Sequence, residues 1–284
     1  MMLSRLFHSL KRQHAATTAS SPQCPWSSTL VFLHIPKTGG LSLRQSLLQY
    51  CNTDTTFRII HQVDDSARFA ALPPQRRRAM RLIEGHMYYG IHEHVPNPCT
   101  YITLLRDPVA RIRSFYSYVC RSKWHFLHSH IVSGKLSLRE CIERQVTVEL
   151  DNYMTRSLTS LDYVDVPFGM VDEKMYLIAR AHLESISIIG TTDNMNLLYR
   201  TLACMISLPA ESPSHINRSA PSHDLDKTGT DQFISELNNY DFMLYEYAIQ
   251  LAHSRAVAMG ILDHGQEGLA GGKSVAIVPG GSTR

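Results

Sequence analysis

The chain has 284 residues, a length that suits one large domain with a sizeable core or two small ones. Its hydrophobic content of 44% excludes a chain that is disordered throughout. The formal net charge is +3, from 28 basic and 25 acidic residues, so overall charge gives no reason to expect nucleic-acid binding, and any basic function must be local. No apolar run approaches the roughly 20 residues of a membrane-spanning helix, and we expect a soluble protein without a transmembrane segment.

Residues 1–28 are predicted to form a flexible basic leader. Apolar residues recur at helical spacing between Leu3 and Leu10 among basic residues, and the first acidic residue is Asp54. Such a composition is typical of an organellar transit segment, and equally of a disordered leader on a cytoplasmic protein, which is our first expectation. One domain is predicted over 29–262, and a Gly-rich flexible tail over 263–284.

The cysteines are scattered and include no Cys-x-x-Cys pair. This spacing indicates reduced thiols, which we expect to be mostly buried, rather than a disulfide framework or a cysteine metal site. The six are Cys24, Cys51, Cys99, Cys120, Cys141 and Cys204.

Four short apolar runs alternate with polar loops or helical patterns. The alternation predicts parallel strands joined by crossover helices, and therefore an α/β domain with a central parallel sheet flanked by helices. The runs are Leu30–Ile35, Arg81–Glu84, Tyr101–Leu105 and Ser185–Ile189. A core helix is predicted over Phe233–Ser254, while 52–74 and 122–135 are expected to be loops. Ligands of such sheets bind beyond the carboxyl ends of the strands.

A Lys-Thr-Gly-Gly turn follows the first apolar run and precedes a helical pattern. Gly39 and Gly40 permit a tight turn whose amide groups face an anion, and Lys37 adds a mobile positive charge. The spacing is not that of the nucleotide-triphosphatase loop, because here the lysine precedes adjacent glycines. A strand-to-helix turn without any ligand is the alternative.

An arginine ends the third apolar run. Asp107 is predicted to cap the next helix and Pro108 to occupy its first position, which would hold Arg106 rigidly at the strand end. Such an arginine can donate two hydrogen bonds to a phosphate, and Ser114, two turns into the helix, can add its hydroxyl. The alternative is that Arg106 pairs with Asp107 or with a helix terminus.

These segments together resemble the sulfotransferases of the carbohydrate and heparan-sulfate type. The matching motifs are PKTGGLS at 36–42, a Gly-His pair at 85–86, RDPVARIRSFY at 106–116, NYMTR at 152–156, IGTTDN at 189–194, Asn-Arg-Ser at 217–219 and NYDFMLYEYA at 239–248. The resemblance implies a three-layer, P-loop-kinase-like domain. It also implies 3′-phosphoadenosine-5′-phosphosulfate (PAPS) as cosubstrate, an acceptor hydroxyl on a glycan or glycoconjugate, and no metal.

The resemblance also assigns roles to individual residues. Lys37 would follow the leaving oxygen during transfer as a catalytic residue, and Arg106 with Ser114 would hold the 3′-phosphate. The cosubstrate-binding residues are predicted to be Lys37, Thr38, Gly39, Gly40, Ser42, Arg106, Ser114, Arg218 and Ser219. Asn152 and Arg156, at helical i, i+4 spacing, are predicted to contact the acceptor or the cosubstrate.

A general base must accept the proton of the acceptor hydroxyl. His86 is the candidate, because neutral imidazole suits that role near pH 7, and Glu84 and Glu93 are in reserve. Two departures from the family pattern are Leu41, where a threonine is usual, and Met154, where a glutamine is common.

The histidine clusters at 92–94 and 125–130 lack metal-ligand spacing, so solvated loop histidines are favoured there. The Arg76–Arg78 run with Arg81 is interpreted as a solvated helix face, with an anionic glycan as the alternative ligand.

The sequence therefore predicts a PAPS-dependent sulfotransferase that works by in-line transfer. The alternatives are a kinase-like phosphotransferase, which the turn spacing disfavours, and a non-catalytic nucleotide-binding protein of the same fold.

Overall fold

The structure is a computed structural model and describes residues 24–208 and 227–263. Within them a single five-stranded sheet has the strand order β2-β3-β1-β4-β5, with every neighbouring pair parallel. The strands are β1 (Thr29–Leu33), β2 (Thr56–Ile59), β3 (Leu82–Gly85), β4 (Cys99–Leu105) and β5 (Ile188–Thr191). The predicted α/β class with a central parallel sheet is confirmed.

Helices cover both faces of the sheet and build a separate cluster beside it. They are α1 (Gly40–Leu48), α2 (Gln62–Ala70), α3 (Pro74–Ala79), α4 (Pro108–Arg121), α5 (His128–Ser133), α6 (Leu138–Glu143), α7 (Tyr153–Leu158), α8 (Glu173–Ser185), α9 (Met195–Ile206), α10 (Lys227–Leu237) and α11 (Asn239–Ala258).

The layers follow from the alternation of side chains along the strands. In β1, Leu30 and Phe32 pack with α1 and α9, whereas Val31 and Leu33 pack with α2, α7, α8 and α11. A third cluster joins α4, α5, α6 and α10 around Phe115. The arrangement is a three-layer, P-loop-like domain with an annex built on α4.

Two of the predicted loops contain regular structure. The segment 52–74 holds β2 and α2, and the segment 122–135 holds α5. The edge strand β2 was missed because its sequence, TFRI, has only one buried residue, Ile59, and so lacks a strong apolar pattern.

The single helix predicted over Phe233–Ser254 is two helices, α10 and α11, which meet at Asn238. That residue is fully buried, and its side chain accepts a hydrogen bond from the Asn152 amide and donates to the Leu150 carbonyl. The regular helix ends at Asn238 because the side chain of this residue forms hydrogen bonds with the backbone of Leu150 and Asn152.

Trp26, which lies within the segment 1–28 predicted as the leader, is 4% exposed and packs with the α1 face of the sheet. Residues 1–23 of the leader and 264–284 of the tail lie outside the described residues. Among the helices of the described ranges, none has the length and apolar character needed to cross a bilayer.

The six cysteines are unbridged in the described structure. Only Cys51 and Cys141 are buried, so the prediction of mostly buried thiols was wrong.

Candidate active site at the carboxyl edge of the sheet

The register of the sheet brings three strand ends to one level. Leu33 at the end of β1 is paired with Gly85 of β3 and with Thr103 of β4. The segments carrying Lys37, His86 and Arg106 therefore leave the sheet at the same edge.

The turn after β1 has a backbone that only certain residues tolerate. Lys37 has φ 69° and Gly39 has φ 83°, both in the left-handed region. This backbone conformation is strained for a lysine, so contacts with the surrounding structure must hold Lys37 in it. At Gly40 a Cβ would lie 2.5 Å from the His34 ring. A glycine is required there because the imidazole packs against the first turn of α1, whose amino end opens onto this turn.

The Lys37 side chain lies against an aromatic ring. Its Nζ is 4.4 Å from the centroid of Tyr118 on α4, a cation–π contact. Burial lowers the lysine pKa, the nearby Arg121 and Arg106 lower it further, and Glu149 opposes the shift. Because Lys37, Arg106 and Arg121 are close together and all positively charged, an anionic ligand would bind favourably beside them.

Arg106 braces the turn from the end of β4. Its Nη1 donates to the Lys37 carbonyl over 3.1 Å, while Asp107 caps α4 by accepting from the Ala110 amide over 2.8 Å. Asp107 at the N-cap and Pro108 at the first helical position are as predicted. Burial lowers the Arg106 pKa, and the acidic Asp193 and Asp107 oppose the shift.

His86 is fixed by the strand next to its own. Its Nδ1 lies 2.7 Å from the His34 carbonyl, and the two imidazole rings are 4.9 Å apart. A carbonyl only accepts, so Nδ1 carries the proton and, in the neutral ring, Nε2 carries the lone pair. Burial lowers the pKa of His86 and holds that of His34 at about 3, which favours neutral rings at pH 7.

The reserve bases are less suitable. Glu84 is 1% exposed, and its carboxylate accepts from Arg44 Nε over 2.9 Å, so it is enclosed in an ion pair. Glu93 is exposed in a helical turn that leads to the beginning of β4, at the amino edge of the sheet.

The hydroxyl of Thr38 has an internal partner. The side chain is fully buried, and Oγ1 donates to the Ile35 carbonyl over 2.8 Å. This bond stabilises the turn and argues against a role for Thr38 Oγ1 in the predicted cosubstrate binding.

The other predicted cosubstrate residues occupy different environments. Ser42 is half-buried in the first turn of α1, and Ser114 is buried in α4 with 5% exposure. Arg218 and Ser219 lie outside the described residues, so their assignment stays a prediction.

Asn152 and Arg156 belong to a buried network. The Arg156 guanidinium is 1% exposed and donates to Asp151 and to the carbonyls of Val166 and Pro167. The Asn152 amide donates to Asp151 and to the Leu237 carbonyl. With these donors engaged inside the protein, the geometry argues against the predicted ligand contact and indicates a structural role.

Four residues at this edge have no role in the sequence-based assignment. His34 orients His86, and Tyr118 contacts Lys37. Burial raises the pKa of Glu149 to about 7, although Arg111 and Lys37 favour its ionised form. Thr192 follows β5, its buried Oγ1 has no partner among the described residues, and its methyl lies close to Gly39. A pattern within one segment signals none of these contacts, because each joins distant segments.

The described ranges contain no group of three or more histidine, cysteine or acidic residues arranged to hold a metal. Within the histidine clusters, His128 interacts with the Val119 carbonyl and His92 with the Tyr101 hydroxyl. Arg77 donates hydrogen bonds to the Leu72 and His94 carbonyls. The arginine run lies on α3, which precedes β3 and is therefore at the amino edge of the sheet, away from Lys37.

No protein-family model matches the chain. The chain is similar to heparan-sulfate 6-O-sulfotransferase 3 of Mus musculus, with 27% identity over 198 residues. The match covers 61% of this chain and 42% of that relative, so it spans less than half of the relative's length.

Proposed function

We propose that this protein transfers a sulfuryl group from PAPS to a hydroxyl of a carbohydrate acceptor. The observation that carries the proposal is the convergence at one sheet edge of a lysine-bearing, glycine-lined turn, a strand-end arginine bonded to that turn, and a histidine held through Nδ1. Sulfuryl transfer requires a site that binds the anionic donor and, beside it, a base that accepts the proton of the acceptor hydroxyl.

The turn supplies the anion-binding part. Lys37 and the amino end of α1 would receive the 5′-phosphosulfate, and Arg106, half-buried beside them, would bind the 3′-phosphate with help from Ser114. Thr192, whose buried hydroxyl lacks a partner in the described structure, adds a donor or acceptor on the same side as Gly39. These groups would bind the two phosphates of the cosubstrate.

His86 supplies the proton acceptor. Nε2 would take the acceptor's hydroxyl proton while the oxygen attacks sulfur, and the bond from sulfur to the bridging oxygen would break with its electron pair left on the phosphate. Lys37 and the turn amides would stabilise that growing charge more in the transition state than in the ground state. The His34 carbonyl keeps Nε2 available by accepting the hydrogen bond that Nδ1 donates.

An aromatic path leads from this edge to the surface and supports a carbohydrate acceptor. Tyr118 touches Lys37, His125 lies 5.6 Å from Tyr118, and Phe126 is stacked 4.8 Å from His125. Trp124 and Phe126 are 98% and 76% exposed. Exposed aromatic surface beside a reactive edge suits the apolar faces of sugar rings, and the neighbouring Arg121 and Lys123 suit acidic groups.

The direct test combines nucleotide binding with transfer. Calorimetry with 3′,5′-adenosine bisphosphate should show affinity falling at least tenfold in Lys37→Ala and in Arg106→Ala, since each removes a phosphate contact. Arg76→Ala, an exposed arginine at the opposite edge, is the matched control and should bind as the wild type does.

Transfer from labelled PAPS to a panel of saccharides should occur with the wild type and fall by at least a hundredfold in His86→Ala, with nucleotide affinity retained. Binding without transfer by the wild type would favour a nucleotide-binding protein. Unchanged affinity in both the lysine and the arginine variants would refute the cosubstrate assignment.

A further inference from the structure

Two cysteines that the proposed transfer does not use lie side by side. Cys24 Sγ and Cys51 Sγ are 3.0 Å apart, although the residues are 27 positions apart in sequence. Cys24 Sγ is also 2.9 Å from the Tyr50 carbonyl, to which it donates. Sulfurs at this distance need to approach by only about 1 Å to reach the length of a disulfide bond.

Both cysteines stand on backbone that packing holds in place. Trp26, two residues after Cys24, is 4% exposed and donates from Nε1 to the Arg81 carbonyl over 3.0 Å. On the other side, Leu47 is fully buried and accepts from the Tyr50 amide over 3.1 Å. The rings of Trp26 and Tyr50 also meet edge to face, with centroids 6.2 Å apart. The fold therefore maintains the closeness of the thiols from both segments.

We propose that Cys24 and Cys51 are a disulfide-forming pair, which closes to an intramolecular bridge by exchange with a low-molecular-weight disulfide such as oxidised glutathione. The bridge would tie the segment before β1 to the segment after α1. It would close a loop that contains β1, the Lys37 turn and the whole of α1, without altering a residue of the proposed transfer site.

The exchange takes two balanced steps. The half-buried Cys24 thiol loses its proton and attacks one sulfur of oxidised glutathione, forming a mixed disulfide and releasing one glutathione thiolate, which takes up a proton. Cys51 then loses its proton, attacks the Cys24 sulfur and releases the second glutathione. The two protein thiols are oxidised and one glutathione disulfide is reduced to two thiols.

The order of the steps follows from exposure. Cys51 is 8% exposed, and burial beside Cys24 raises the pKa of its thiol, so it is poorly suited to attack a disulfide in solution. It lies within reach of Cys24, however, and serves as the resolving thiol. We expect closure to accelerate with rising pH because the Cys51 thiolate becomes more populated.

The test oxidises the purified full-length chain with oxidised glutathione and follows it by intact mass and by peptide mapping without reduction. The wild type should lose two hydrogens and yield a linked peptide pair that contains Cys24 and Cys51. Cys24→Ser should not form this link. Cys204→Ser, which removes an exposed cysteine on α9, is the matched control and should form the bridge normally.

A second measurement is the melting temperature. Closing a loop of this length constrains the unfolded chain, so oxidation should raise the wild-type Tm by roughly 5–10 °C, and a reducing agent should reverse the shift. Cys24→Ser should show no such shift. A mass gain from glutathione alone, a link between other cysteines, or an unreacted protein would each overturn the proposal.

Discussion

At the scale of single residues, the chemistry of this edge depends on how each polar atom is occupied. Sequence motifs identify both His86 and Thr38 as candidate site residues, but their hydrogen bonds in the structure give them different capacities to bind a ligand. His86 Nδ1 donates a hydrogen bond to the His34 carbonyl, so Nε2 remains available to accept a proton. The Thr38 hydroxyl, by contrast, already donates its hydrogen bond to the Ile35 carbonyl. Sequence identifies the residue types, but hydrogen bonds decide which atoms remain available to a ligand.

The rate of transfer should depend on pH through two groups whose pKa values are both lowered. His86 must be neutral, and burial lowers its pKa from 6.5, so the acid limb of kcat/KM should lie below pH 6.5. Lys37 must be charged, and burial lowers its pKa from 10.5, so the alkaline limb should lie below pH 10.5. A pH–rate profile over about pH 5–10 measures both limbs.

A matched variant separates the two limbs of the profile. Lys37→Arg keeps a positive charge that does not titrate in this range, so it should remove the alkaline limb and leave the acid limb in place. An acid limb above pH 6.5, or one that persists in an active His86→Asn variant, would contradict the assignment of His86 as the base.

At the scale of elements, strongly patterned segments were predictable and weakly patterned ones were not. The runs that became β1, β3 and β4 were located to within a few residues because each contains neighbouring apolar residues that point to opposite faces of the sheet. The run predicted at Ser185–Ile189 is displaced, since Ser185 still ends α8 and β5 begins at Ile188. The break at Asn238 depends on a partner in another segment, which no local periodicity reveals.

The joint between α7 and α11 makes a prediction about stability. Asp241, fully buried in the first turn of α11, accepts from the amides of Met154 and Thr155 and from the Thr155 hydroxyl. Asp241→Ala leaves these buried donors without an acceptor, so the free energy of unfolding should fall by about 3 kcal/mol. Urea denaturation followed by circular dichroism measures the loss.

The control removes an acidic residue from an exposed helical ion pair. Glu143→Ala breaks the pair with Arg139, in which both side chains are 47% exposed, and should cost no more than about 0.5 kcal/mol. If Asp241→Ala cost as little as this variant, the carboxylate would not be the connection that holds α7 to α11.

At the scale of the whole molecule, the candidate site exists because distant segments share one edge. The fold class could be predicted from alternating patterns, and the positions of Lys37, His86 and Arg106 from strand ends. The contact between Tyr118 and Lys37 could not be predicted, because it joins a residue of α4 to the turn after β1, 81 positions earlier in the sequence. The annex of α4, α5, α6 and α10 has its own core, and the exposed Trp124 and Phe126 lie between its helices α4 and α5.

That annex leads to a prediction about acceptor binding. Trp124 is 98% exposed, so Trp124→Ala should change the free energy of unfolding by less than about 0.5 kcal/mol. If a sugar ring stacks on the indole, KM for a saccharide acceptor should rise about three- to tenfold, with kcat and the affinity for 3′,5′-adenosine bisphosphate unchanged. Initial-rate kinetics with labelled PAPS measure KM and kcat, and calorimetry measures the affinity for 3′,5′-adenosine bisphosphate.

The matched control is Met170→Ala, which removes another exposed apolar side chain. Met170 is 63% exposed and lies outside the aromatic path. Equal KM values for the two variants would exclude Trp124 as an acceptor contact.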